Sequence, residues 1–191
     1  MEQLFMCRKK QPVKEYKLPE GFEVVRYQNH DEDGKHWLDI CHDGLIPEAD
    51  MAMFDRDVVY FKNVVPERDI FFIKYGDEYV ATITAVYDPE KNTGIVHMVG
   101  ALSKYRGRGI GNYILYLALS RLESDGADKI YLHTDDFRKA AVKSYITGGF
   151  LPIEFSEGMK ERWIKLIGEL GIQEIEMVYE DGSHCCVLKA E

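Results

Sequence analysis

Between residues 94 and 124 an alternating pattern gives way to a helical one, and glycine takes every second place at the changeover: Gly107, Gly109 and Gly111. Residues 94–102 alternate, with Ile95, His97, Val99 and Ala101 on one face and Val96, Met98, Gly100 and Leu102 on the other. Residues 109–124 carry Ile110, Ile114, Leu117, Ala118 and Leu122 on one stripe, then stop at Asp125-Gly126. A strand that turns this abruptly into a helix commits the chain to a strand–turn–helix unit. Glycine lets such a backbone approach an anion closely. The helix start supplies N–H groups without internal partners and the positive end of a dipole, so the turn suits a diphosphate. Arg106 and Arg108 add cationic donors.

The rest of the chain frames this unit. Residues 22–27 read as a strand, and Trp37, Leu38, Ile40 and Cys41 as a helix ending near Gly44. Residues 45–66 hold no single period and predict short helical pieces beside a substrate entrance. Residues 69–75 and 79–87 form a hairpin about Gly76-Asp77-Glu78. Residues 130–134 predict a strand, and a helix carrying Ala140, Ala141, Val142 and Tyr145 follows, capped by Asp135 or Asp136 and closed by Gly148-Gly149. Residues 150–155 return to the sheet, with Pro152 marking an edge or irregular position. Beyond them come a helix built on Met159, Trp163, Ile167 and Leu170, then strands at 172–179 and 184–189. The order, β-α-β-β-β-α-β-α-β-α-β-β, combines an antiparallel meander with strand–helix–strand crossovers. It predicts an α+β fold, a mixed and mostly antiparallel central sheet flanked by helices on both faces.

Two familiar phosphate loops fail on spacing. No Gly-Lys-Ser/Thr ending follows the glycines, and their alternation does not give G-x-G-x-x-G, although Asp128 lies about twenty residues on, where a dinucleotide site wants an acid. The run Arg106-x-x-Gly109-x-Gly111 after a strand instead resembles the R/Q-x-x-G-x-G/A signature of the GNAT superfamily of N-acetyltransferases. Ala141-Val142-Lys143-Ser144-Tyr145-Ile146-Thr147-Gly148-Gly149-Phe150 is similar to that family's A-x-x-x-Y-x-x-x-G-F segment. The resemblance covers roughly residues 22–155.

The resemblance implies a GNAT-like fold and transfer of an acetyl group from acetyl-CoA to an amine in a ternary complex. Val99 and Ala101 would offer backbone groups to the pantetheine arm, and Arg106, Gly107, Arg108, Gly109, Ile110 and Gly111 would hold the pyrophosphate, with Asn112 just inside the helix. Tyr145 corresponds to the general acid that protonates the departing thiolate. Many relatives carry Asn seven residues before that tyrosine; Arg138 stands there and would grip CoA differently. The base is left open among His97, which shares a face with Val99 and Ala101, His133, and Asp135 or Asp136. A non-catalytic acetyl-CoA-binding regulatory module, and a transferase of another acyl-CoA, are the alternatives.

Composition narrows the partners. With 191 residues, 46% hydrophobic, the chain reads as one domain over 1–191, with a solvated N-terminal extension at 1–20 and a C-terminal one at 156–191. A net charge of −9 disfavours nucleic acid and favours a small cationic amine such as a polyamine, aminoglycoside or amino-acid amine. No apolar run has membrane-spanning length, and Met1-Glu2-Gln3-Leu4-Phe5 is not a signal peptide, so no membrane partner and a cytoplasmic location are expected. Cys7, Cys41, Cys185 and Cys186 lack paired or zinc-binding spacing, so reduced thiols and no metal are expected. The Met159, Trp163, Ile167 and Leu170 stripe packs on the sheet or, if exposed, makes a homodimer contact.

Overall fold

In order, the strands and helices of the computed structural model, which describes residues 2–190, are β1 (Leu4–Lys9), β2 (Phe22–Arg26), α1 (His30–His42), α2 (Met51–Phe54), α3 (Pro66–Asp69), β3 (Ile70–Tyr75), β4 (Glu78–Asp88) and β5 (Thr93–Ala101). Then follow α4 (Ile110–Ser124), β6 (Lys129–Thr134), α5 (Lys139–Thr147), β7 (Leu151–Pro152), α6 (Met159–Glu169), β8 (Glu174–Val178) and β9 (His184–Lys189). A π-helical turn, Asp55–Val59, continues α2. Seven strands form one sheet in the order β2-β3-β4-β5-β6-β1-β7, and β8 pairs with β9 beside it. Among the described residues only β5 and β6 run parallel within the larger sheet, joined by the crossover through α4.

Apolar side chains leave both faces of the sheet to meet helices. On one face Ile114, Leu119 and Leu122 of α4 and Trp163 of α6 pack with Ile83 and Ala85. On the other, Trp37, Ile40 and Cys41 of α1 pack with Phe54 and Phe72. Trp37 and Trp163 are wholly buried, each worth about 2–3 kcal/mol of apolar burial. At the start of α1 the Asn29 side chain accepts from Asp31 N, and the buried Asp33 carboxylate accepts from the backbone N–H groups of Gln28 and Asn29 at 2.7 and 2.9 Å.

Two expectations need correction. The first residues are not a solvated arm: β1 lies between β6 and β7, with Leu4 opposite Thr134 and Met6 opposite both Leu132 and Pro152. Leu4, Met6 and Cys7 are wholly buried, so the short apolar run Leu4-Phe5-Met6-Cys7 is an interior strand. Neither Asp135 nor Asp136 caps α5: Asp135 pairs with Arg138, Asp136 pairs with Arg162 of α6, and the N-cap residue is Arg138. The stripe on α6 takes the first of its two readings and packs inward: Met159, Trp163 and Ile167 are buried in the core.

Candidate functional site

The central pair of strands comes apart. β5 and β6 pair only at Thr93, Gly94 and Ile95 against Lys129, Ile130 and Tyr131, and both strands then continue without pairing to each other. A bulge follows just beyond the departure. Thr84 pairs with His97 and Thr82 with Gly100, so Ile83 alone faces both Met98 and Val99. Met98 sits at φ 48°, an uncommon conformation for a residue with a side chain. From residue 96 on, the groups of β5 that face β6 have no strand partner among the described residues, which leaves a wedge lined by backbone donors and acceptors.

The bulge also overturns the expected alternation. Cross-strand partners point the same way, so His97, opposite Thr84, and Ala101, opposite Ala81, lie on opposite faces. His97 therefore does not share a face with Val99 and Ala101. Those two pack toward the α4 side, whereas His97 faces the α1 side, as does Gly100, where a Cβ would meet Ile40 Cγ2 at 2.9 Å.

Beyond the wedge lies the glycine turn. Gly107 and Gly109 take φ 76° and 85°, the left-handed region in which glycine avoids the cost of a Cβ, and Gly109 is the N-cap of α4. A Cβ on Gly107 or Gly111 would meet nothing within 4 Å, so the space over the turn is open. These open positions beside the free N–H groups of Ile110 and Gly111 fit a diphosphate. The Arg106 guanidinium bonds the carbonyls of Asp43 and Ala101 at 3.0 and 3.3 Å, fixing the loop after α1 to the turn. Arg108 lies 5.0 Å from the Tyr105 ring centroid. Asn112 sits in a cleft between α4 and α5 with Ser144.

Tyr145, on α5, is 7% exposed and packs edge-on against Phe150. Burial pushes its hydroxyl up to about 12, with the nearby Arg138 cation acting in the other direction, so the phenol stays protonated. Arg138 itself is engaged: its Nε donates to Asp135 at 3.0 Å and a terminal nitrogen donates to the Leu45 carbonyl at 2.8 Å. Leu45 lies over Gly100 of β5, so this guanidinium links the loop after β6 to the loop after α1 that covers β5.

The histidine wall was only half legible. His97 Nε2 lies 2.7 Å from the Asp57 carbonyl and its ring stacks on Phe61 at 4.5 Å. A carbonyl can only accept, so Nε2 carries the proton and Nδ1 keeps the lone pair. Burial lowers the His97 pKa and holds the ring neutral. His133, displaced in the same direction by burial, stacks on Phe5 at 4.3 Å. Asp57 and Phe61, which orient His97, come from the aperiodic stretch 45–66; the run of aromatics there was the one available signal. The carboxylates are tied up: Asp57 by Arg56, Asp135 by Arg138 and Asp136 by Arg162. Among the described residues no cluster of three metal-ligating side chains occurs, all four cysteines are free, and no helix is long and apolar enough to cross a membrane.

Known proteins match this arrangement. Residues 6–150 match the model of the Acetyltransferase (GNAT) family, so the match includes most of β1. Mycothiol acetyltransferase of Corynebacterium aurimucosum is 42% identical over 57 residues, 30% of this chain and 19% of that protein. N-alpha-acetyltransferase 30 of Xenopus laevis is 31% identical over 84 residues, 42% of this chain and 31% of its own. The chain thus spans less than a third of either relative. Among solved structures, a GCN5-related N-acetyltransferase from Sphaerobacter thermophilus superposes with a TM-score of 0.60 at 18% identity, covering 79% of this chain and 48% of that one, a likeness of fold.

Proposed function

Since the chain belongs to the GNAT acetyltransferase family, we propose that it moves the acetyl group of acetyl-CoA to the primary amine of a small acceptor within a ternary complex. The observation that carries this reading is the three-residue parallel pairing of β5 with β6, which opens a backbone-lined wedge leading to the glycine turn. Residues 99–101 offer amide groups to the pantetheine arm, and the turn from Arg106 to Gly111 receives the diphosphate. Strand N–H groups in the wedge stabilise negative charge on the thioester oxygen as the amine attacks. The thioester is held against the amine by the fixed wedge, and no covalent acyl-enzyme is needed.

Two side chains take the proton transfers. Tyr145, kept protonated by burial, gives its proton to the departing thiolate. His97, neutral and with Nδ1 unprotonated, takes a proton from the incoming ammonium, directly or through water. His97 reaches the acceptor from the α1 side of the sheet, opposite the face of Val99 and Ala101, so base and arm-holding strand serve different sides of one wedge. Arg138 acts by joining the loops at the wedge's mouth rather than by gripping the cofactor alone.

An acetyl-CoA consumption assay over polyamines, aminoglycosides, free amino acids and peptide α-amines tests this. Turnover with one amine class, absent without the amine, is expected. Tight acetyl-CoA binding with no turnover on any of them would favour the regulatory-module alternative, and turnover only with a longer acyl-CoA would favour the other transferase.

A further inference from the structure

Residues 10–21, between β1 and β2, are a strap rather than a loose arm. At one end the buried Arg8 donates to the carbonyl of Gly148, past the end of α5, at 2.9 Å, and to the carbonyls of Gln11 and Pro12 at 2.8 and 3.1 Å. The Gln11 side-chain amide reaches the Gly149 carbonyl at 3.2 Å. At the other end Pro19 stands beside the N-cap of α4, its Cγ 3.7 Å from where a Cβ on Gly109 would lie. Between these anchors Lys14 and Tyr16 form a cleft with Asn112, Leu115 and Tyr116 of α4 and Ser144 of α5. The strap therefore runs past the first turn of α4 and ends beside the glycine turn.

Its charge opposes that of the whole chain. Residues 8–17 hold Arg8, Lys9, Lys10, Lys14 and Lys17 against Glu15, in a protein of net charge −9. Arg8 is spent on carbonyls, Lys9 pairs with Glu176 and Lys10 with Asp128, each at 3.3 Å. Lys14 and Lys17 have no carboxylate partner among the described residues, and the Lys14 ammonium lies 5.2 Å from the centroid of the Tyr16 ring. The cations nearer the turn are engaged: Lys104 with Glu78 at 2.6 Å, Arg106 with two carbonyls and Arg108 with the face of Tyr105. Lys14 is thus a cation on the strap without a carboxylate partner among the described residues, set over the Tyr16 ring and lining one cleft with Asn112 and Ser144.

The nucleotide end of CoA is covalently joined to the diphosphate and carries a doubly charged 3′-phosphate beside an aromatic base. Resting on the reading that the turn from Arg106 to Gly111 holds the diphosphate, we propose that the strap forms the subsite for the 3′-phosphoadenosine moiety. Lys14 pairs with the 3′-phosphate, Tyr16 offers its ring to the adenine, and Asn112 and Ser144 supply hydrogen bonds between them.

Calorimetric titration with acetyl-CoA and with 3′-dephospho-acetyl-CoA, at low salt, separates this subsite from the diphosphate cradle. Wild type should prefer the 3′-phosphorylated ligand by about three- to tenfold, and Lys14→Gln should lose most of that preference by weakening acetyl-CoA alone. Lys10→Gln removes the same charge from the same segment, where Asp128 already pairs with it, and should keep the preference. Tyr16→Leu should weaken both ligands by a similar factor, about threefold or more, because both contain adenine. Equal affinity of wild type for the two ligands, or an undiminished preference in Lys14→Gln, overturns the phosphate contact and leaves the cradle standing. Unchanged affinities in Tyr16→Leu overturn the adenine contact. A wild type that binds neither ligand overturns the cradle reading, and the subsite with it.

Discussion

The glycine turn after β5 and the histidine wall beside it serve one wedge but are built at different ranges. In the turn, what matters lies within a few residues: Gly107 and Gly109 at positive φ and the N–H groups of the first turn of α4. In the wall the contacts that fix it to its surroundings are distant. His97 is held by a carbonyl forty residues away, and Arg138 reaches the Leu45 carbonyl across ninety-three. A cradle for a shared cofactor can be written into one short segment. A wall that orients a base against an acceptor depends on how separate elements pack, so substitutions in it should separate proton transfer from cofactor binding.

Tyr145→Phe presses hardest on that division. It removes a proton donor without touching the turn, so turnover should fall by about a hundredfold or more while acetyl-CoA affinity stays within twofold. Equal losses in both would make Tyr145 a packing residue. His97→Gln comes next, with kcat/KM reduced about tenfold and the acidic limb of the pH–rate profile removed. An unchanged profile takes the base away from His97.

The same substitution has a stability signature. Burial lowers the pKa of His97, so as pH falls below the ordinary histidine value the unfolded chain protonates first and the fold loses stability. His97→Gln should lose less on acidification, by denaturant melts at pH 7 and pH 5. His30 runs the other way: bonded to Asp55 at 2.5 Å and raised by it, it stabilises the fold at low pH and loses that effect as pH rises through its folded value.

Two smaller effects probe the turn. Arg106→Ala should weaken acetyl-CoA about fivefold, by calorimetry, because the exposed guanidinium both offers charge and ties the Asp43 carbonyl to the turn. Gly111→Ala should act in opposite directions. The position is helical and its added Cβ meets nothing, so the fold should gain up to ~1 kcal/mol, about 2–4 °C in Tm, while acetyl-CoA binding weakens. A variant that is more stable and binds as tightly as wild type would remove the diphosphate from the space over Gly111.

Legibility followed the same division of range. The alternation of 94–102, the glycines and the helical stripe after them are local, and strand, turn and helix lie where the sequence puts them. β1 escaped because its partners, Thr134 and Leu132, lie at the far end of the matched region, and because the basic run after Cys7 outweighed four apolar residues before it. Methionine gives no sign in sequence of adopting φ 48°, so a period of two read through Met98 puts His97 on the wrong face. Asp135 and Asp136 look like helix caps in sequence, but Arg138, three residues on, claims Asp135, and Arg162 claims Asp136 once α6 has packed.

Titrating the purified wild-type chain with acetyl-CoA in a calorimeter bears most directly on the wedge and turn. Saturable one-to-one binding is expected, with CoA competing for the same site. Absence of binding at millimolar acetyl-CoA, by a protein shown to be folded, would contradict the assignment of the β5–α4 turn as an acetyl-CoA cradle.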